Sequence, residues 1–114
     1  MSITVYHNPR CSKSRMAVSF LEEKGADFEI VKYLEELPTK EEFKLILAKL
    51  DIPAESLVRK SEPYFKSNLK GLNLSEEEWI DTMLENPKLI ERPIVVKNNR
   101  AVVARPAEKI LEIL

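Results

Sequence analysis

The chain has 114 residues and one cysteine, and its 18 lysines and arginines against 19 aspartates and glutamates leave a net charge of −1. This length suits one domain with a core of its own. The balanced charge excludes a general electrostatic footprint for nucleic acid or an anionic membrane, so any anion binding must be local.

The chain runs directly into a β-type stretch, Ile3 to Tyr6. No basic region with an apolar segment and cleavage site precedes it, and no run nears the roughly 18 apolar residues of a membrane span, so a cytoplasmic protein is expected. Between this strand and a helical pattern lies His7-Asn8-Pro9-Arg10-Cys11-Ser12-Lys13-Ser14-Arg15, which holds the only cysteine and the only histidine. A thiol at a strand-to-helix turn faces free backbone N–H groups and the positive end of the helix dipole, and both favour thiolate. Arg10, Lys13 and Arg15 add positive charge close by, so a nucleophilic cysteine that attracts anions is expected.

One cysteine excludes an internal disulfide, and one cysteine with one histidine is too few for an ordinary zinc site. No metal or bound cofactor is therefore expected, and the second thiol of any redox step must come from another molecule. Cys11-Ser12-Lys13-Ser14 carries serine where a dithiol oxidoreductase has its resolving cysteine. Ser14 can donate a hydrogen bond to the thiolate but cannot close a disulfide. A phosphatase-type loop would need arginine six positions after the cysteine, roughly where a tetrahedral anion is wrapped, and that position is Ala17. His7 is placed either to orient or deprotonate the thiol, or only to pack or cap the turn.

After Cys11, Met16, Ala17, Phe20 and Leu21 share one helical face and Gly25 suits the residue after a helix end, which predicts a helix over 12–24. Phe28, Ile30, Val31 and Tyr33 predict a second strand, parallel to the first across a crossover helix. Thr39 with Glu42 forms a capping box ahead of Phe43, Ile46, Leu47 and Leu50, an amphipathic helix. Pro53 opens a short helix through Leu57, and the stretch 61–73 reads as irregular or weakly helical. Ser75 with Glu78 is a second capping box, followed by Trp79, Ile80, Met83 and Leu84 and ended by Asn86-Pro87, with Trp79 a core anchor. Ile94-Val95-Val96 and Ala101-Val102-Val103, joined at Asn98-Asn99, predict a hairpin. Pro106 then suits the first turn of a final helix with Ala107, Ile110, Leu111 and Leu114 on its buried face.

Arginines fall at breaks in this pattern: Arg59 after the short helix, Arg92 before Pro93 and Arg105 before Pro106. Their forked guanidinium groups suit oxyanions, and element ends are where sites are built. Together H-N-P-R-C-S-K-S-R, E-R-P-I-V-V and the closing A-R-P resemble the glutaredoxin-linked arsenate reductase family across essentially the whole chain, and the chain is similar to its shorter chromosomal branch.

The resemblance implies an α/β, thioredoxin-like (glutaredoxin-like) fold in one domain spanning 1–114: a βαβ start, a helical insertion over about 39–86, then ββα. It implies a cis Pro93, Cys11 as the nucleophile, and Arg59, Arg92 and Arg105 as ligands of the arsenate and arsenite groups, while the residues around the thiol put His7, Ser14 and Arg15 in support. In the implied reaction the Cys11 thiolate attacks arsenate, glutathione adds as co-substrate, and glutaredoxin reduces the mixed species to release arsenite. The alternatives are a glutathione-dependent thiol/disulfide reductase with another substrate and a redox-sensing transcription regulator that binds RNA polymerase. The regulators use a C-x-x-C switch, and Ser14 stands at its second position here.

Overall fold

Alternation of Ile3 and Val5 with Thr4 and Tyr6 forms strand β1 (Ile3–Tyr6), which buries the first pair and half-buries the second. The structure, a computed structural model, describes residues 3–114. Two compact units are present, one made by the chain up to Glu36 together with Arg92–Leu114, the other by Leu37–Glu91.

In the first unit β1 leads through the cysteine loop into helix α1 (Ser12–Glu23) and then strand β2 (Glu29–Val31). The helix ends in a Schellman motif: Ala26 N–H reaches the Leu21 carbonyl at 3.1 Å and Gly25 N–H that of Glu22 at 3.0 Å. Gly25 takes φ 69° there, the left-handed conformation this closure needs. Strands β3 (Ile94–Lys97) and β4 (Arg100–Val103) complete a four-stranded sheet of order β2-β1-β3-β4. The β1–β2 pair is parallel, as the crossover helix requires, and the other two pairs are antiparallel. Asn98, at φ 57°, turns the hairpin.

Val5 and Val95 from the sheet, Ala17 and Leu21 from α1, and Ile110 and Ile113 near the C-terminus form one apolar cluster. Burying each valine or leucine fully contributes roughly 1.5–3 kcal/mol. The buried face of α1 is Ser14, Ala17 and Leu21, while Met16, expected inside, is 53% exposed. The final helix also differs from its expected form. It is a 3-10 helix, Ala107–Glu112, preceded by Pro106 rather than begun by it. Three residues per turn put Ala107, Ile110 and Ile113 on the buried side, and leave Leu111 and Leu114 exposed.

The second unit holds helices α2 (Lys40–Leu50) and α3 (Glu76–Glu85), which pack against each other. Both begin with a complete capping box. Thr39 Oγ1 accepts Glu42 N–H at 3.1 Å while Glu42 accepts Thr39 N–H at 2.9 Å, and Ser75 and Glu78 repeat the exchange. Thr39→Ala is expected to cost about 1 kcal/mol in a urea unfolding curve, and an unchanged midpoint would show that the cap contributes nothing. Between the helices, Ala54–Leu57 is a 3-10 helix and Phe65–Leu69 a turn of π-helix closed by Lys70 N–H to the Phe65 carbonyl at 2.9 Å. The stretch 61–73 thus contains more regular structure than its composition indicates. Trp79, 3% exposed, stacks on Phe65 at 6.5 Å and is the anchor expected of it.

Candidate active site

Cys11 occupies the N-cap position of α1, with φ −94° and ψ 123°, and is half-buried. The loop that delivers it is closed by its own polar groups. Asn8 and Pro9 begin a turn in which the Cys11 N–H donates to the Asn8 carbonyl at 3.0 Å, and the Arg15 guanidinium donates to the Pro9 carbonyl at 2.9 Å. His7 N–H donates to the Val31 carbonyl of β2 at 2.8 Å, so the loop is pinned to the sheet as it leaves β1.

Burial alone would push the Cys11 thiol up. The N–H of Ser14, a hydrogen bond from Arg92, the N–H of Lys13 and the positive charge of Arg92 outweigh it, and the thiol is held below its ordinary value. The aligned N–H groups of the first turn of α1, those of Lys13 and Ser14 among them, thus favour the charged sulfur. The first turn of α1 carries no carboxylate to oppose them. A half-buried thiol of lowered pKa beside a guanidinium has the features of an activated nucleophile.

Arg92 reaches the sulfur because of strand register. Tyr6 pairs with Ile94 across β1 and β3, which sets the end of β1, and the loop after it, beside the entrance of β3. Ile94 pairs with Val103 across β3 and β4, so Arg92 and Arg105 lie two positions further out on opposite sides of the same ladder. Arg105 Nη1 donates to the Arg92 carbonyl at 3.4 Å, a long bond that ties the two arginine-bearing segments together. Between them Pro93 is fully buried, and its carbonyl accepts Ala104 N–H at 2.9 Å. The Arg92-Pro93 bond is cis, as the resemblance implies, and so is Arg105-Pro106.

Ser14 acts differently from its expected role. Its backbone N–H faces the sulfur, whereas its hydroxyl oxygen accepts Asn8 N–H at 3.0 Å and shares a 2.6 Å hydrogen bond with His7 Nδ1, the donor in that pair being set by the imidazole tautomer. Ser14 is fully buried and His7 is 7% exposed. The imidazole therefore braces the loop through Ser14. Burial first, then the positive charges of Lys32 and Arg15, hold the His7 pKa below its ordinary value. The folded state thus favours the neutral ring, and the unfolded chain binds the extra proton as the pH falls. The stability from neutral His7 is present above about pH 6.5 and is lost as the pH drops through the lower folded value. Unfolding curves should weaken on acidification over that window, and His7→Gln should flatten this part of the profile. An equal slope in both proteins would refute the assignment.

Arg59 belongs to the second unit. Its guanidinium pairs with Glu62 at 3.1 Å and Glu91 at 3.3 Å, all three side chains being mostly buried. A two-sided backbone clasp fixes this position: Arg59 N–H to the Leu89 carbonyl at 2.6 Å and Glu91 N–H to the Leu57 carbonyl at 2.8 Å. The structure thus brings Cys11, Arg92, Arg105, His7, Ser14, Arg15 and Pro93 into the first unit, and gives Arg59 two carboxylate partners in the second. Among the described residues there is no group of three or more His, Cys, Asp or Glu side chains that could hold a metal ion, and no helix long and apolar enough to cross a membrane. Asn8 is the site residue that sequence reasoning passes over, although its Asn-Pro pair is a turn signal.

Comparison with known proteins accords with this geometry. The Escherichia coli K12 protein YfgD is 45% identical over 114 residues, covering 98% of this chain and 96% of that protein. A Neisseria meningitidis serogroup A protein named arsenate reductase is 43% identical, covering 98% and 97%. The solved structure of arsenate reductase from Vibrio cholerae superposes with a TM-score of 0.94 at 44% identity, covering 100% of this chain and 98% of that one. Residues 6–113, from the last residue of β1 through the cysteine loop and both arginine-proline junctions, match the model of the ArsC family, and the chain belongs to that family.

Proposed function

We propose that this protein is an arsenate reductase in which Cys11 is the nucleophile and Arg92 and Arg105 bind the oxyanion. The observation that carries the reading is the Arg92 guanidinium beside the Cys11 sulfur at the start of α1, which sets a thiol of lowered pKa and a cation at one place. The names of the relatives support arsenate as the oxyanion.

The thiolate attacks arsenic, a sulfur–arsenic bond forms, and one arsenate oxygen leaves as water. Glutathione then adds its thiol to arsenic with loss of a second water. A glutaredoxin thiolate attacks the glutathione sulfur, the sulfur–arsenic electron pair passes to arsenic, and As(V) becomes As(III). Water then releases arsenite from Cys11. The net change is arsenate and two thiols to arsenite, one disulfide and water. The lone cysteine fits this scheme, because both electrons come from outside thiols. During attack the arginines neutralise an anion that would otherwise repel the thiolate. A part for Arg59 in oxyanion binding rests on the family resemblance alone.

Arsenite release measured with purified protein, arsenate, glutathione and glutaredoxin tests the reading. Turnover that requires every component is expected. Glutathionylation of Cys11 with no arsenite release would overturn it, and would favour a thiol/disulfide reductase acting on another substrate.

A further inference from the structure

The turn ahead of Cys11 is held largely by one residue to which the reaction above gives no part. Asn8 is polar yet only 7% exposed. Its carbonyl accepts the Cys11 N–H, its side-chain Oδ1 accepts the Arg10 N–H, and its own N–H donates to Ser14 Oγ, each at 3.0 Å. The first bond closes the turn Asn8-Pro9-Arg10-Cys11 and the second braces it from inside, an Asx-turn. The third ties the turn to the first turn of α1, through the serine that also holds His7. Pro9, at the second position, fixes its own φ and needs no N–H partner.

We propose that Asn8 is a positioning residue for the nucleophile: its carbonyl, amide oxygen and N–H together seat Cys11 at the N-cap, where the sulfur faces the first N–H groups of α1 and Arg92. The side-chain requirement is specific. Alanine removes the inner brace, and serine offers a shorter oxygen that makes a weaker form of the same turn. Aspartate would keep the acceptor but set a second negative charge close to the thiolate, whereas asparagine supplies the oxygen without charge.

The inference rests on Cys11 being the nucleophile of the proposed reaction, and its test needs no arsenate. Alkylation of the full chain by iodoacetamide, a neutral reagent, reports Cys11 alone, because the chain has no other cysteine. Its rate is followed against pH in the parent, Asn8→Ala and Asn8→Ser proteins. In Asn8→Ala the midpoint is expected to rise and the rate at neutral pH to fall about tenfold, with Asn8→Ser lying between Asn8→Ala and the parent. Loss of thermal stability with a pH profile that coincides with the parent's would overturn the proposal and leave Asn8 a purely structural residue. Should Asn8→Ala not fold, Asn8→Ser decides: a displaced profile in the folded protein supports the assignment, and a coincident one refutes it. A chain without arsenate turnover would leave this result intact, and coincident profiles would leave the arsenate reading intact.

Discussion

Cys11→Ser is expected to release arsenite no faster than the mixture without protein, a loss of about a thousandfold or more in kcat. Oxygen in place of sulfur has a far higher pKa, so the helix N–H groups and Arg92 would face a neutral hydroxyl and no attacking anion would form. No second thiol in the chain can substitute. The fold should survive, because Cys11 is half-buried at a helix cap and lies outside the apolar cluster, and serine is itself a good N-cap residue. The far-ultraviolet circular dichroism and urea midpoint of the variant should therefore match the parent's while turnover is absent. Residual arsenite release by a folded Cys11→Ser protein would mean that the chemistry happens elsewhere.

Arg92→Ala has the second largest expected effect. Arg92 acts on Cys11 twice, as a hydrogen-bond donor and as a charge, so its removal should raise the thiol pKa. It would also remove one forked donor from the oxyanion. Losing one such preorganised donor lowers kcat/KM on the order of a hundredfold, or about 2.7 kcal/mol of transition-state stabilisation. Arg92→Lys separates the two effects, since it keeps the charge and loses the fork. The lysine variant should recover much of the thiolate but less of the affinity for arsenate. The backbone carbonyl that Arg105 holds is unaffected by either change, so the junction itself should remain. If both variants lost stability and kept the parent's kcat/KM, Arg92 would be a structural cation.

Strong local signals made most of the fold readable. The two capping boxes, Gly25 after α1 and the Asn98-Asn99 turn each state a local geometry in chemistry that packing does not override. The juxtaposition of Arg92 and Arg105 was also present in the sequence. A two-residue turn pairs Lys97 with Arg100, and counting outwards along that ladder sets 92 opposite 105. The C-terminal segment was less readable because an α-helix and a 3-10 helix share the i, i+3 spacing. Only packing decides whether Leu111 or Ile113 joins Ala107 and Ile110, and the tighter helix chose Ile113. Met16 was misplaced for a related reason: α1 turns Ser14 inward to meet His7 and Asn8, which rotates its buried face away from Met16. The division of labour in Ser14, backbone to the thiol and hydroxyl to His7, depends on the path of a turn that residue types alone do not specify.

A helix start and Arg92 together hold the Cys11 thiol below its ordinary pKa. Titrating the ultraviolet thiolate absorbance of the native chain tests it directly, since one cysteine gives one transition. A midpoint below the ordinary thiol value that moves up in Arg92→Ala is expected, and a native midpoint at or above that ordinary value would refute the lowering.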